Sequence, residues 1–188
     1  SMNNAHTMRG FGNFLLAFFV FVSSVAALAQ NRQLVGLTSR GGKQFGTVLS
    51  LPVGGNSISQ VKHLAGIPGG YPTRGLIEVN GKLYGTTPTG GKYNKGLIFE
   101  FDPALSGYRI LIDLSDSLGF NPSGELLLAS NGKLYGLASQ GGDFAGGVLF
   151  ELDVANLLFK KCVDFYTGQG RWPVGSLIQA TNGKLYGM

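Results

Sequence analysis

A hexapeptide that recurs at a fixed distance constrains the fold of this chain more than any other feature. Copies of NGKLYG follow one another every 51 residues, at 80–85, 131–136 and 182–187. A Gly-Gly pair follows each of the first two copies, and the alignment of those copies continues without a gap to an F-E-x-D stretch. A degraded earlier copy runs from Leu34 to Gly42. Self-similarity at one period indicates a tandem-repeat architecture.

The pattern within one period predicts four short strands. In the second copy Asn80-Gly81 suits the two positive-φ positions of a type I′ hairpin turn. Gly90-Gly91 then allows a second tight turn. Short apolar runs between turn residues favour strands, and no helical stripe follows residue 30. The predicted strands are 76–79, 82–87, 96–102 and 108–114, and in the next copy 125–130, 133–139, 147–153 and 158–165.

Four strands in about 50 residues, repeated in tandem, are typical of a β-propeller blade. We therefore predict an all-β fold of β-propeller-like, four-stranded blades of about 51 residues. The sequence holds about three blades and stops within a fourth copy, whereas closed propellers have about four to eight. We expect either a fragment of a longer protein or closure by self-association through open blade edges. A β-helix is disfavoured because its coils are shorter.

The repeated motifs also resemble a known family. They are Leu83-Tyr84-Gly85, Gly90-Gly91, Gly96 and Phe99-Glu100, with counterparts at 134–136, 141–142, 147 and 150–151. Over roughly residues 34–188 this pattern resembles the GloVer-type tandem repeat of bacterial exported proteins. The resemblance implies a propeller-like secreted or surface protein, often with a C-terminal anchoring domain, and it implies no particular chemistry. Kelch repeats match less well, because they need a tryptophan in every copy and Trp172 is the only one.

Residues 1–29 comprise seven upstream residues, which fit no signal-peptide start, and a stretch at 8–29 that has the pattern of an export signal. Met8-Arg9 is a short positive start, 14–22 is an unbroken apolar run, and Ala27-Leu28-Ala29 is an A-x-A cleavage site. The apolar run is shorter than the roughly 20 residues of a spanning helix, which favours cleavage over an uncleaved anchor. We expect a mature domain of residues 30–188 that is secreted or held at the cell surface without a membrane span.

Composition argues against several kinds of site. The net charge is +5, but the basic residues are scattered, with Lys160-Lys161 as the densest cluster. Because nucleic-acid binders gather such residues on one stripe, we expect no nucleic-acid partner. The only histidines are His6 and His63, and we predict no metal site, cofactor or catalytic triad. Cys162 is the single cysteine, and its apolar-rich segment favours burial.

Two repeated carboxylate pairs are candidates for chemistry. Glu100 and Asp102 stand two residues apart on one strand, as do Glu151 and Asp153, so each pair shares a face. Such pairs serve glycoside hydrolysis or calcium binding. Asp102-Pro103 is also turn chemistry, and catalytic pairs rarely recur in every repeat. We therefore predict structural roles, with each Glu satisfying a backbone group between blades.

Aromatic residues recur at three places in each repeat. The loop after each Gly-Gly pair carries one, namely Phe45, Tyr93 and Phe144. Because the loop recurs once per blade, we expect these rings to line one face of the propeller, where they would stack on sugars. The alternative is that each ring packs on the neighbouring blade. A second aromatic precedes each proline turn, and we predict structural wedges at Tyr71, Phe120 and Trp172. The motif tyrosines are predicted to have buried rings and bonded hydroxyls; they are Tyr84, Tyr135 and Tyr186.

The leading prediction is an exported, non-enzymatic propeller module that binds a protein or a glycan at the cell surface. Its ligand-binding residues would be Phe45, Tyr93 and Phe144, with no catalytic or metal-binding residue. One alternative is a propeller-type hydrolase or lyase acting on extracellular polysaccharide, which predicts unique polar residues on inner strands where this chain repeats LYG. A structural spacer in a larger surface protein is the other. Variation of the loops between blades would distinguish a binder from a spacer. The loops do differ, with KYNK at 92–95 and DFAG at 143–146.

Overall fold

A computed structural model describes residues 33–38, 47–52, 57, 59–63, 69–70, 72 and 74–187. The predicted export signal, Phe45 and Tyr71 lie outside the described residues. All regular structure within them is β-strand, which confirms the predicted all-β class. Nothing in these ranges is a helix long and apolar enough to cross a membrane. The chain divides into two units, of which the first contains, among described residues, only Gln33, Leu34, Leu51, Pro52 and Ser57.

The strands form consecutive sheets that follow the repeat. Blade 1 consists of β1 (Gln33–Thr38), β2 (Thr47–Pro52) and β3 (Ser59–His63). Blade 2 consists of β4 (Gly69–Gly70), β5 (Ile77–Val79), β6 (Lys82–Thr87), β7 (Thr89–Gly90), β8 (Leu97–Asp102) and β9 (Gly107–Asp113). Blade 3 consists of β10 (Phe120–Pro122), β11 (Leu127–Leu128), β12 (Leu134–Gln140), β13 (Val148–Asp153) and β14 (Leu158–Asp164). Blade 4 contributes β15 (Ile178–Gln179) and β16 (Leu185–Tyr186).

Blades 2 and 3 are antiparallel meanders with one shared register, which confirms the propeller-like, four-stranded prediction. Blade 2 has the order β5-β6-β8-β9, and blade 3 the order β10-β12-β13-β14. Gly85 pairs with Phe99 in blade 2, and Gly136 pairs with Phe150 in blade 3. Both blades even place the same bulge, one residue before the phenylalanine. The 51-residue period of the sequence is therefore a period of the structure.

The first strand of blades 2 and 3 is interrupted, whereas the sequence pattern predicts one continuous strand. In blade 3, β10 pairs with one end of β12 and β11 with the other. Asn121 within β10 has a φ of 54°, and Pro122 has no N–H to donate. The strand predicted over 125–130 is consequently only two residues long at β11. In blade 2 the short β4 pairs with β7 in a corresponding way.

Blade 2 buries apolar residues on both faces, because it packs between two neighbours. Between blades 1 and 2, Val48 packs with fully buried Leu97 and Phe99. Between blades 2 and 3, fully buried Ile98 packs with Phe150. Successive side chains on a strand point to opposite faces of its sheet, so neighbouring residues such as Ile98 and Phe99 contribute to different cores. Removing such apolar surface from water supplies the main stabilising free energy.

The glycine of each LYG motif makes room for the phenylalanine of the F-E motif. A Cβ atom on Gly85 would lie 2.7 Å from Cζ of Phe99, and one on Gly136 would lie 2.4 Å from Cζ of Phe150. Each Phe ring also stacks on an aromatic ring of the outer strand, at 5.1 Å from Tyr108 in blade 2. The two motifs thus specify a single packing unit.

The Asn-Gly turns are of two kinds. Asn80 and Gly81 both have positive φ, 52° and 77°, as predicted for a type I′ turn. In the next copy Gly132 has a φ of 78°, but Asn131 is not in the left-handed region. Its side chain instead accepts a hydrogen bond from the N–H of Lys133 at 3.1 Å. This copy therefore does not form a type I′ turn, because the Asn131 side chain, rather than a positive φ at Asn131, closes the turn.

The predicted burial of Cys162 is wrong. Cys162 is exposed. It lies on β14, the outer strand of blade 3, where exposed and half-buried residues alternate. Cys162 is on the exposed side of this alternation, and it is the residue that the bulge leaves unpaired, because Leu149 pairs with Val163 and Phe150 with Lys161.

Candidate functional site

The loop that follows each Gly-Gly pair is held rigidly. In blade 2 it spans residues 90–96 and is closed by a hydrogen bond from the N–H of Gly96 to the carbonyl of Gly90 at 3.0 Å. The carboxylate of Asp113 accepts a second bond from the N–H of Lys92 at 2.7 Å. Gly91 has a φ of 76°, and a Cβ there would lie 2.6 Å from the Asp113 carboxylate. Only glycine fits this position without strain.

Blade 3 repeats the same loop at 141–147. The N–H of Gly147 donates to the carbonyl of Gly141 at 3.0 Å, and Asp164 accepts from the N–H of Asp143 at 2.8 Å. Lys161 adds ion pairs to both Asp143 and Asp164, at 2.7 and 3.1 Å. Each loop is therefore a fixed platform that displays its middle residue.

The displayed residues are two of the three predicted aromatics. Tyr93 is 51% exposed and Phe144 is 62% exposed. The sequence also allowed these rings to pack on the neighbouring blade. Their exposure shows that they do not. A Lys92 ammonium lies 5.1 Å from the centre of the Tyr93 ring. The third predicted aromatic, Phe45, lies outside the described residues.

The second row of aromatics differs between blades. Phe120 is half-buried beneath the ammonium of Lys95, which lies 4.0 Å from its ring centre, in keeping with a wedge. Trp172 is 57% exposed, so a buried wedge is the wrong description there. The reason is a shift of register: one period apart, Trp172 corresponds to Asn121, and Arg171 corresponds to Phe120.

Trp172 is nevertheless fixed through its backbone. Its N–H donates to the carbonyl of Gly146 at 2.7 Å, as the N–H of Asn121 donates to Lys95 at 3.2 Å. Its φ is 57°, matching the 54° of Asn121. The ring is left in solvent with the Arg171 guanidinium 4.5 Å from its centre. A strained backbone that presents a large exposed ring is unusual for a purely structural residue.

Three exposed aromatic residues, Phe144, Tyr166 and Trp172, form an aromatic cluster that is linked to the 141–147 loop of blade 3. The rings of Phe144 and Tyr166 meet edge to face, with centroids 5.7 Å apart. Tyr166 is 42% exposed. Trp172 joins the same loop through Gly146. Sequence reasoning missed Tyr166, although one signal was available: it replaces Ser115 at the same position of the repeat.

Blade 2 carries a polar pocket at the corresponding place. It is an open pocket of about 490 Å³ lined by Tyr93, Lys95, Ser115, Asp116 and Ser117. Lys95 and Asp116 form an ion pair at 2.9 Å, and the Asp116 side chain is 78% exposed. The hydroxyls of Ser115 and Ser117 lie 3.2 Å apart. An aromatic wall is thus combined with one acid, one base and two hydroxyls.

The polar pocket and the aromatic cluster adjoin. The N–H of Gly142, in the blade 3 loop, donates to the carbonyl of Asp116, at the rim of the blade 2 pocket, over 2.7 Å. A Cβ on Gly141 would also lie 2.7 Å from that carbonyl oxygen. We refer to the two adjoining regions together as the loop face, which consists of Tyr93, Lys95, Asp116, Phe144, Tyr166 and Trp172.

The first carboxylate pair is engaged within its own blade. Glu100 is buried and accepts from Lys82 at 3.0 Å, from the Tyr84 hydroxyl at 3.0 Å and from Arg109 at 3.1 Å. Burial alone would raise the pKa of Glu100, but these hydrogen bonds outweigh it and hold the pKa below its ordinary value. Asp102 accepts from the N–H of Ala104 at 2.9 Å. The turn role predicted for the Asp is confirmed.

The second pair repeats this arrangement. Glu151 accepts from Lys133 at 2.7 Å and from the Tyr135 hydroxyl at 3.0 Å. The hydrogen bond from Lys133 lowers the pKa of Glu151. Both glutamates thus bond to side chains of their own blade, and the prediction that they satisfy backbone groups between blades is wrong. Among the residues described, no group of three or more His, Cys, Asp or Glu could hold a metal ion.

The repeat itself decides the family. The sequence matches the family model of the Gloeobacter/Verrucomicrobia repeat over residues 22–188. The chain belongs to this repeat family. The match confirms the resemblance drawn from the LYG, Gly-Gly and F-E motifs, and extends further towards the N-terminus. No curated protein matches the repeat protein.

Solved structures also match the repeat protein, fourteen chains in all. One of them is TolB from Acinetobacter baumannii, with a TM-score of 0.49 and 10% sequence identity. The match covers 96% of the repeat protein and 42% of the TolB chain. The repeat protein thus spans less than half of that relative.

Proposed function

We propose that this chain is an exported binding module whose loop face holds a glycan at the cell surface. The observation that carries the proposal is the aromatic cluster of Phe144, Tyr166 and Trp172, whose rings are 42–62% exposed around one rigid loop. Exposed rings on a fixed backbone lose little conformational entropy when a ligand binds, which favours affinity.

The chemistry of the loop face favours a sugar as the ligand. The negative face of an aromatic ring attracts the weakly positive C–H groups on one side of a pyranose ring. The adjoining pocket supplies hydrogen-bonding groups for sugar hydroxyls from Lys95, Asp116 and the two serines. Binding sites generally combine apolar surface with a few placed polar groups in this manner.

The variation between repeats supports a binder over a spacer. Tyr84, Glu100 and their counterparts Tyr135 and Glu151 are unchanged, because they hold each blade together. Residues on the loop face change from blade to blade, as from Ser115 to Tyr166. A spacer has no need of large exposed rings at the changing positions. Export is supported by the signal pattern at 8–29.

The test measures binding of the chain to a panel of extracellular polysaccharides by affinity electrophoresis and calorimetry. Phe144→Ala, Tyr166→Ala and Trp172→Ala should each weaken binding about tenfold, corresponding to about 1.4 kcal/mol. Leu105→Ala is the matched control, because Leu105 is 80% exposed in the turn at the opposite end of β8. Binding that persists in all three variants would refute the site.

Three other outcomes separate the alternatives. Release of shortened sugars during incubation would favour a hydrolase or lyase. Absence of glycan binding, together with capture of a purified surface protein that the Trp172→Ala variant loses, would favour a protein ligand. Absence of any ligand would favour a spacer.

A further inference from the structure

Each copy of NGKLYG begins with an Asn-Gly pair, and such a pair can rearrange without an enzyme. The glycine nitrogen attacks the side-chain amide carbon of the asparagine, ammonia leaves, and a succinimide ring forms, which water opens to aspartate or isoaspartate. Glycine favours the attack because it has no Cβ atom to obstruct the approach. The three pairs are at 80–81, 131–132 and 182–183, and the structure distinguishes between them.

In blades 3 and 4 the asparagine amide is held at both of its polar atoms. Oδ1 of Asn131 accepts a hydrogen bond from the N–H of Lys133 at 3.1 Å, and Nδ2 donates to the hydroxyl of Tyr135 at 2.9 Å. Asn182 makes the same two bonds, both at 3.0 Å, to the residues two and four positions further along. Ring closure requires the amide carbon to swing towards the glycine nitrogen, so these bonds oppose it.

The glycine nitrogen of these two copies faces a group that is not a base. The N–H of Gly132 donates to the backbone carbonyl of Ala129 at 2.9 Å, and the N–H of Gly183 donates to that of Ala180 at 2.9 Å. A peptide carbonyl does not take up a proton near neutral pH. The nitrogen therefore remains a neutral amide, which is a weak nucleophile.

Blade 2 places a carboxylate at this point of the turn. Glu78 stands one period before Ala129. Its side chain takes over the bond that the alanine backbone makes in the other copies, with 3.0 Å between the nitrogen of Gly81 and Oε1 of Glu78. This distance is within the reach of a general base for the proton that it abstracts.

The Asn80 side chain is also released from the restraint seen in the later copies. Asn80 has a φ of 52°, whereas Asn131 and Asn182 are outside the left-handed region. Asn80 is exposed, and among the residues that the structure describes no hydrogen bond holds its amide. A Cβ atom on Gly81 would have no neighbour within 4 Å, so the space beside the turn is open.

We propose that Asn80 is a site of spontaneous deamidation and that Glu78 is the general base of the reaction. Glu78 accepts the proton of the Gly81 nitrogen as this nitrogen bonds to Cγ of Asn80. The bond from Cγ to Nδ2 breaks, and Nδ2 leaves as ammonia with the proton that Glu78 has taken up. Water then adds to one carbonyl carbon of the succinimide and opens the ring. The reaction consumes one water and releases one ammonia, without oxidation or reduction.

The product alters the blade 2 hairpin. In isoaspartate the main chain runs through the former side-chain carbon, which lengthens the turn by one atom and adds a carboxylate close to Glu78. The register of a hairpin is fixed by its turn type and loop length. The pairing of Val79 with Lys82, directly beside the turn, should therefore weaken as the protein ages.

The test follows all three Asn-Gly pairs of the full chain during incubation near neutral pH at body temperature. Mass spectrometry detects the replacement of NH2 by OH. Trypsin places each pair on its own peptide, namely 75–82, 110–133 and 172–184. In the folded chain we expect Asn80 to deamidate at least about tenfold faster than Asn131 and Asn182. In a chain unfolded by guanidinium the three rates should converge, because the same Asn-Gly-Lys sequence recurs.

Glu78→Gln tests the base separately from the turn. Glutamine keeps an oxygen that accepts the N–H of Gly81 but does not take up its proton, so the rate at Asn80 should fall at least about tenfold. Glu125→Gln is the matched control, because it removes the charge of another exposed glutamate and should leave the rate at Asn80 unchanged.

Two sets of results would overturn the proposal. Equal rates at the three pairs of the folded chain would refute the site, and so would a slower rate at Asn80, since the type I′ turn would then protect it. An unchanged rate at Asn80 in Glu78→Gln, in a chain whose melting is intact, would refute the role of Glu78. Neither measurement involves a glycan, so the outcome is independent of the loop face.

Discussion

Gly136→Ala is the substitution that tests the repeat packing most directly. The new Cβ would lie 2.4 and 2.8 Å from two carbons of the Phe150 ring and 3.0 Å from Cδ2 of Leu126. Favourable carbon–carbon contacts are at about 3.5–4.0 Å, so a fully buried ring must move. Overpacking of this kind costs about 1–3 kcal/mol. Gly136 is not in the left-handed region. Without the clash, alanine would therefore stabilise the folded protein by about 0.4–1 kcal/mol, because it reduces the conformational entropy of the unfolded chain.

The net expectation is a loss of about 1–2 kcal/mol, or a fall in Tm of about 2–8 °C for a chain of this size. Urea unfolding followed by circular dichroism measures it. Gly107→Ala is the matched control, because its Cβ would have no neighbour closer than 3.8 Å. Phe150→Leu should reduce the effect of Gly136→Ala in a double-mutant cycle. An alanine at 136 that stabilises the chain as much as the one at 107 would refute the packing argument.

Two further predictions concern a buried carboxylate and the N-terminus. Because hydrogen bonds lower the pKa of Glu100 in the folded state, its contribution to stability is present above its ordinary pKa and is lost as the pH falls through the folded value. The melting temperature should therefore fall on acidification from about pH 6 to pH 3, and fall less in Glu100→Gln; equal falls would contradict the argument. If residues 8–29 are an export signal, mass spectrometry of protein recovered outside the cytoplasm of a bacterial host should find a chain that begins at Gln30. An uncleaved N-terminus would contradict this.

The strands could be predicted because turn chemistry bounds them on both sides. The strand predicted over 82–87 is found with those bounds, between the Asn80-Gly81 turn and the loop that begins at Gly90. The strand predicted over 147–153 differs by one residue at its start. Asp153 ends it, because its carboxylate accepts from the N–H of Ala155 at 3.0 Å and closes the next turn. Local hydrogen bonds of this sort are encoded by neighbours in sequence, and so the sequence reveals them.

The candidate site was harder to predict because exposure depends on distant residues. The exposure of Tyr93 and Phe144 follows from loops fixed by Asp113 and Asp164, which lie 21 residues beyond the N–H groups that they bind. The wedge predicted for Trp172 is wrong because the prediction rests on its position before Pro173 and not on its position in the repeat period. Compared by period, it replaces Asn121, whose backbone role it keeps. Its ring was then free to face solvent.

Comparison by period therefore separates two kinds of residue in this chain. Those that recur with identical contacts maintain the blade, as Gly136 does with Phe150 and Gly85 with Phe99. Other residues keep their backbone contacts while the side chain changes, as Trp172 does relative to Asn121. Their side chains are not needed to hold the blade together. Selection for stability alone does not require a large ring at an exposed position with a φ of 57°, where most side chains are strained. The cost of that conformation therefore supports the proposed binding surface on the loop face, in addition to the exposure of the ring.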